Sequence, residues 1–314
     1  MRVLNKYEQI NKNISRGVAL GNFDGIHLGH QKLIKTLVEK SKLEDMESCV
    51  YTFLNHPQSL VKKQNFKMHI TNFYNKVEIL KSFNLDTLFF DTFSETIMSL
   101  SAEEFVIKIL INTLNCKFVV VGFDYRFGYK AQGDVSLLKT YGEKYGFDVI
   151  VIEPVEINDE KVSSSIIRSH IKNGNITGAN TYLGRPFLIK SHVINGKKRG
   201  RTMGYPTANI EVEPNQIIPT EGVYITVVTI DGVRYQGLTS IGTNPTFNNQ
   251  YTSIETYIIN YYEPLYDRTI TIEFYEKIRK QIKFKNTSEL SLQIDKDIKN
   301  AKKYLQDNKD MLDL

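Results

Sequence analysis

Short apolar runs alternate with stretches of helical periodicity through the first half of the chain. Runs at 17–21, 49–54, 87–90, 116–122 and 148–152 have the length and β-branched content of buried strands. Between them, apolar residues recur at helical spacing: His30, Leu33, Ile34, Leu37 and Val38 fall on one helical face. Ser101-Ala102-Glu103-Glu104 is a capping box that opens a helix through Val106, Ile109 and Leu110. Such alternation implies a parallel sheet with helices on its faces. Beyond Asn175 the pattern changes. A short helix ends near Leu183, Gly184-Arg185-Pro186 follows, and β-type runs dominate at 187–194, 222–230, 233–240, 252–260 and 269–275. Asp231-Gly232 marks a tight turn between two of them. The expected architecture is α/β over residues 1–183, then an antiparallel β-barrel over 184–314 closed by a helix from about Ser288 to Leu305.

Composition narrows the class of protein. A chain of 314 residues can bury two cores. Its formal charge of +5 is spread among interspersed acids and bases, which indicates no nucleic-acid partner. The Lys-rich stretch from Lys277 to Lys303 also carries Glu289, Asp295 and Asp297, as the solvated face of a terminal helix does. Cys49 and Cys116 each lie in a strand-like run, so two buried reduced thiols are expected instead of a disulfide or metal site. No apolar run approaches the roughly 18 residues that cross a bilayer, and no leader pattern opens the chain. A soluble, cytoplasmic protein without a membrane partner is expected.

The unusual residues cluster after the strands. Gly21-Asn22-Phe23-Asp24-Gly25-Ile26-His27-Leu28-Gly29-His30 joins the first strand to a helix. A helix N-terminus offers unpaired N–H groups and partial positive charge, and Gly29 removes a side chain that would keep a phosphate away. His27 and His30, three positions apart, can face the same phosphate. Thr52-Phe53-Leu54-Asn55-His56-Pro57 follows the second strand, Gly122-Phe123-Asp124-Tyr125-Arg126-Phe127-Gly128 the fourth, and Val162-Ser163-Ser164-Ser165-Ile166-Ile167-Arg168 the fifth. Ligands of open α/β sheets bind at that carboxyl edge. In the last segment a serine can cap a helix while hydroxyls, N–H groups and Arg168 serve an anion. The barrel half has two odd loops. Gly196 to Asn209 is rich in glycine and basic residues able to wrap a polyphosphate, and Thr207 and Asn209 project oxygens to one side of an extended segment, a hard donor set suited to Mg²⁺. Ser240 to Phe247 leads to Glu255, flanked by apolar and aromatic residues in a strand.

With these residues in view, the chain resembles the bifunctional bacterial riboflavin kinase/FAD synthetases over nearly its whole length. The first half is similar to the Rossmann-like nucleotidyltransferases through Gly21 to His30, Gly122 to Gly128 and Val162 to Arg168. The second half is similar to the riboflavin kinase module through Gly200-Arg201-Thr202-Met203-Gly204-Tyr205-Pro206-Thr207-Ala208-Asn209, the 242–247 loop and the glutamate-bearing strand.

The resemblance implies an FMN adenylyltransferase centre in which His27 and His30 are catalytic. Gly21, Phe23, Asp24, Gly29, Ser163, Ser164, Ser165 and Arg168 would bind ATP there, and Phe53, Asp124 and Arg126 would bind flavin. It also implies a kinase centre with Glu255 as general base, Gly200, Arg201, Gly204 and Thr207 on ATP, and Thr207 and Asn209 on Mg²⁺. ATP, riboflavin and FMN are the implied small-molecule substrates.

Four departures stand out. Ser165 replaces a threonine, Asn195 and Tyr257 replace histidines, and Asp267 replaces a glycine. Two other classes fit the same residues: an FMN adenylyltransferase with a weak kinase barrel, and a non-catalytic flavin- or nucleotide-sensing protein.

Overall fold

The computed structural model describes residues 1–54, 68–195, 204–245 and 250–308. By contacts the chain divides into two compact units, Met1–Ser164 and Ser165–Leu314.

The first unit is built on strands β1 (Arg2–Leu4), β2 (Arg16–Leu20), β3 (Glu47–Phe53), β4 (Thr87–Asp91), β5 (Cys116–Gly122) and β6 (Asp148–Ile152). They form one sheet in the order β1-β4-β3-β2-β5-β6, every neighbouring pair parallel. The helices between them are α1 (Leu28–Leu43), α2 (Phe73–Lys81), α3 (Glu95–Ser99), α4 (Ala102–Phe105) and α5 (Val135–Tyr145).

Alternate residues of each strand feed opposite faces, as the period of two requires. Ala19, Val50, Leu88, Phe90, Phe118 and Val120 pack against Leu33, Ile34 and Leu37 of α1 and Val77 and Leu80 of α2. Val18, Tyr51, Phe89, Val119 and Val121 pack on the other side with Phe105, Val106, Ile109 and Leu138. The sequence pattern places strands β2 to β6 of this sheet to within a residue or two and misses only the three-residue edge strand β1. The capping box is present as expected: Ser101 Oγ accepts from Glu104 N at 3.1 Å, and a Glu104 carboxylate oxygen accepts from Ser101 N at 3.0 Å. The expected helix continues from α4 as a π-helical turn, Val106–Ile111. Both cysteines are buried and unbridged.

Helix α6 (Ser164–Asn173) starts on the last residue of the first unit and is followed by α7 (Ile176–Leu183), which ends on left-handed Gly184. Then come β9 (Phe187–Ile194), β10 (Thr207–Ile210), β11 (Gly222–Ile230), β12 (Val233–Pro245), β13 (Gln250–Ile258) and β14 (Thr269–Arg279), numbered after the two-residue pair β7 (Glu156–Ile157) and β8 (Glu160–Lys161). They close into an antiparallel barrel, β10-β13-β12-β11-β14-β9, with β9 pairing back to β10. Asp231 and Gly232 both take positive φ (47° and 84°), the twist a two-residue hairpin demands. Asn180 of α7 ties that helix to the barrel, donating to Phe274 O at 2.8 Å and accepting from Phe187 N at 2.7 Å.

The terminal helix α8 (Thr287–Asp307) lays Ala301 and Leu305 on Val223, Ile225, Val227, Leu238 and Tyr275. Arg279 pins it through a charge-assisted contact with buried Asp297 at 2.8 Å. On the opposite strand faces, buried Thr226, Thr239 and Thr256 satisfy one another in a hydroxyl chain at 3.0 and 2.9 Å.

One close approach seats the strand that leads into the histidine turn. The Phe118 ring lies over Gly17, where an added Cβ would come within 2.1 Å of the ring. Gly17→Ala should therefore destabilise the first unit by about 1–3 kcal/mol through overpacking, measured as a lower denaturant midpoint. An unchanged midpoint would contradict this packing.

Candidate active sites

The turn after β2 is held in an unusual backbone conformation. Phe23, Gly25 and Ile26 all have positive φ (47°, 85° and 43°), and Phe23 and Ile26 are fully buried. For a β-branched residue this region is a genuine outlier, costing of order 1–3 kcal/mol unless the surroundings enforce it. They do so through its carbonyls. Asn22 O accepts from Lys76 Nζ at 2.8 Å and Thr52 Oγ1 at 3.2 Å, Asp24 O from Ser164 Oγ at 2.8 Å, and Ile26 O from Gln31 Nε2 at 3.0 Å.

The turn delivers His27 to the N-cap of α1, where its Nδ1 accepts from His30 N at 3.4 Å. That bond places the proton of neutral His27 on Nε2. The two imidazoles stack with centroids 3.7 Å apart and 16° between planes, so they act as a pair. An added Cβ at Gly29 would press on the His27 ring at 3.3 Å, while Phe23 lies 5.2 Å from His30 on its other side. Burial, and then the charges of His27 and Lys76, hold His30 well below the usual imidazole range. It is therefore neutral near pH 7, and its Nδ1 is buried without a hydrogen-bond partner. Two imidazoles at a helix N-terminus can hydrogen-bond the oxygens of a phosphate.

The other expected residues of this half take varied positions. Asp24 is buried, and its carboxylate accepts from Ile70 N at 3.0 Å and Thr71 N at 3.2 Å, so it braces backbone. Gly21 stands beside the Phe23 ring. Phe53 ends β3 and meets Phe93 edge-on at 5.0 Å. Asp124 is exposed, and exposed Arg126 pairs with Asp134 at 3.7 Å. Ser164 ties the 162–168 segment to the turn, as described. Ser163 precedes α6 half-buried, while Ser165 is exposed and Arg168 buried on that helix.

In the barrel, register brings the kinase candidates together. Asn209 pairs with Glu255 and Thr207 with Tyr257 across β10 and β13, and Ser240 pairs with Glu255 from β12. Period-two alternation puts Thr207, Asn209, Glu255 and Tyr257 on one face. Thr207 Oγ1 stands 3.5 Å from the Glu255 carboxylate. Hydroxyl, amide and carboxylate oxygens on one patch suit a hard cation. No cluster of three or more His, Cys, Asp or Glu gathers among the described residues, so a cation here would draw further ligands from substrate and water. Gly204 has φ 84°, which glycine permits, and Tyr205 beside it donates to Asp295 of α8 at 2.8 Å and packs edge-on against Tyr257 at 5.7 Å. Gly200, Arg201, His56, Pro57, Thr246 and Phe247 lie outside the described residues.

One residue escaped the motif-based reading. Lys76 is only 7% exposed, and burial lowers its pKa to about 8 despite the opposing pull of Asp24. The available signal was a lysine on an apolar face, among Phe73, Val77 and Leu80 at helical spacing. Between pH 8 and 10.5 native Lys76 has given up its proton while the unfolded lysine keeps it. The unfolded state then binds more protons, and stability rises with pH across that window. Wild type should gain up to roughly 3 kcal/mol over Lys76→Met in chemical unfolding from pH 8 to 10.5. A pH-independent difference would contradict this.

Comparisons with known proteins identify the family of each half. The FAD synthetase family matches residues 9–166 and the riboflavin kinase family residues 183–305. Curated relatives described as bifunctional riboflavin kinase/FMN adenylyltransferase include one from Buchnera aphidicola subsp. Acyrthosiphon pisum, 39% identical over 98% of this chain and 99% of its own. Others come from Bacillus subtilis, 36% identical over 91% and 92%, and Escherichia coli K12, 31% identical over 91% and 92%. A crystal structure described as a macrolide-efflux protein from Streptococcus pneumoniae superposes with a TM-score of 0.87 at 31% identity, covering 96% of this chain and 98% of that one. Among the described residues no helix is long and apolar enough to cross a membrane. The paired catalytic modules, in this order and over nearly the full length of each relative, make the chain a member of the bifunctional riboflavin kinase/FMN adenylyltransferase family.

Proposed function

We propose that the two patches described above are the chemical centres of two consecutive reactions. The chain is an enzyme of flavin cofactor synthesis, phosphorylating riboflavin to FMN and adenylylating FMN to FAD. Each unit supplies its own phosphate-chemistry patch, and that pairing carries the assignment: stacked His27 and His30 at a helix N-terminus in one, Glu255 opposite Asn209 in the other. The functional modules we assign are 1–183 and 184–314. The kinase match beginning at 183 favours that boundary, although α7 packs as part of the barrel unit.

In the kinase centre a ribityl hydroxyl attacks the γ-phosphorus of ATP and ADP leaves, with Glu255 taking the hydroxyl proton. Thr207 and Asn209 would hold Mg²⁺, which neutralises phosphate charge when bound. Gly200, Arg201 and Gly204 would wrap the nucleotide.

In the adenylyltransferase centre an FMN phosphate oxygen attacks the α-phosphorus of ATP, and the bond to the leaving pyrophosphate breaks. No covalent enzyme intermediate is needed, so catalysis is positioning and charge stabilisation. His27 and His30 donate to the phosphoryl oxygens, backed by the N–H groups of α1. Ser163, Ser164, Ser165 and Arg168 hold ATP phosphates, Gly21, Phe23 and Gly29 shape the approach, and Asp24 acts by bracing the turn. Phe53, Asp124 and Arg126 contact flavin. Both reactions belong in the cytoplasm, where ATP is supplied.

Purified protein given riboflavin and Mg-ATP should make FMN and then FAD, resolved by chromatography. Replacing His27 and His30 together with Ala should cut FAD formation by about 10²–10⁴-fold while sparing FMN. Glu255→Gln should block FMN formation yet leave FAD formation from supplied FMN. Loss of both products from either change, with the fold intact, would refute two separate centres.

A further inference from the structure

The histidine turn and the start of α2 are linked twice, in opposite directions. Asp24 reaches from the turn to the backbone of the α2 entry, accepting from Ile70 N and Thr71 N. Lys76 reaches back from α2 to the backbone of the turn, donating to Asn22 O at 2.8 Å. Each side chain thus holds the other segment's main chain, and their opposite charges attract across the junction.

The two links lie on either side of Phe23, the first strained residue: one grips the carbonyl just before it, the other anchors residue 24, and the chain then enters Ile26 and His27. Thr52 also donates to Asn22 O, but at 3.2 Å and without charge. A cationic donor makes the stronger bond to a buried carbonyl. Lys76 is more than nine-tenths buried, and among the described residues its ammonium bonds to Asn22 O. Buried lysines are rare because the desolvated ammonium is costly. One placed on the backbone of a catalytic turn, beside partnerless His30 Nδ1, needs a role beyond packing.

We propose that Lys76 is a positioning residue for adenylyl transfer, its ammonium holding the Asn22 carbonyl so that the strained turn presents His27 and His30 to the phosphate. This rests on the adenylyltransferase assignment above. The role requires the charged form. Among the described residues the ionisable groups facing Lys76 are Asp24, which favours its charge, and His30, which is neutral near pH 7. Deprotonation of Lys76 near pH 8 should then release the turn and lower the rate.

The experiment measures FAD formation from supplied FMN and Mg-ATP by wild type, Lys76→Met and Lys76→Arg, from pH 6 to 9.5. Riboflavin phosphorylation by the same samples reports active enzyme concentration. Lys76→Met should lower kcat by about 10²-fold, as expected for misplaced catalytic groups, with KM for FMN and ATP changed far less. Wild-type kcat/KM should fall through about pH 8, and Lys76→Arg should retain activity while losing that alkaline limb.

Lys76→Met with wild-type kcat, or an unshifted limb in active Lys76→Arg, overturns the proposal. Should both variants be inactive, the wild-type profile decides: a limb near pH 8 supports the role, and a flat profile to pH 9.5 overturns it. Wild type that makes FMN but no FAD would instead refute the adenylyltransferase assignment, and the brace with it.

Discussion

The first unit depends on a short backbone that would not hold its shape alone. Phe23, Gly25 and Ile26 turn through left-handed conformations that a buried phenylalanine and isoleucine ordinarily avoid. The Asn22 carbonyl just before them is gripped by Lys76 and Thr52, the carbonyls of Asp24 and Ile26 by Ser164 and Gln31, and the Asp24 carboxylate grips the chain before α2. The reward for this strain is placement: the chain leaves the buried end of β2 and within a few residues sets two stacked imidazoles on the first turn of α1. Strain stored at a functional site and enforced by its surroundings is the expected physical pattern.

The proposed kinase patch of the barrel is assembled by a different route. No strained turn is needed there, because antiparallel register sets Asn209 opposite Glu255 and alternation turns Thr207 to the same face. Tyr205 joins this patch to α8 through Asp295, and α8 is itself held by Arg279 on Asp297. Tyr257, one of the departures from the family pattern, packs edge-on against Tyr205 and so is accommodated in the patch. The departure at Asp267 takes positive φ (61°), a conformation glycine enters freely and aspartate only less readily.

Much of this was legible in the sequence because it follows from local pattern. The inner strands of the sheet, the capping box at Ser101, the Asp231-Gly232 hairpin and the terminal helix each announce themselves by periodicity or turn chemistry. Strand β1 did not, since three residues carry no period, and β10 showed only as an extended pair of oxygen-bearing residues. The π-helical turn after Phe105 was hidden because its apolar spacing matches that of an α-helix over so short a run. At the site, His27 and His30 were visible as a motif. The bracing role of Asp24 and the burial of Lys76 were not, because both depend on contacts 46 to 54 residues away in sequence. The pairing of Arg126 with Asp134 was likewise a matter of loop geometry that spacing cannot give.

In the proposed adenylyltransferase centre, the helix N-terminus carrying His27 and His30 receives the nucleotide whose α-phosphate is attacked. A crystal structure of the full chain with FMN and a non-hydrolysable α,β-methylene ATP analogue tests it most directly. The α-phosphate should lie within hydrogen-bond distance of both imidazoles and of the N–H groups opening α1, with the 22–26 turn unchanged. A nucleotide seated in the first unit with its phosphates away from that turn would contradict it.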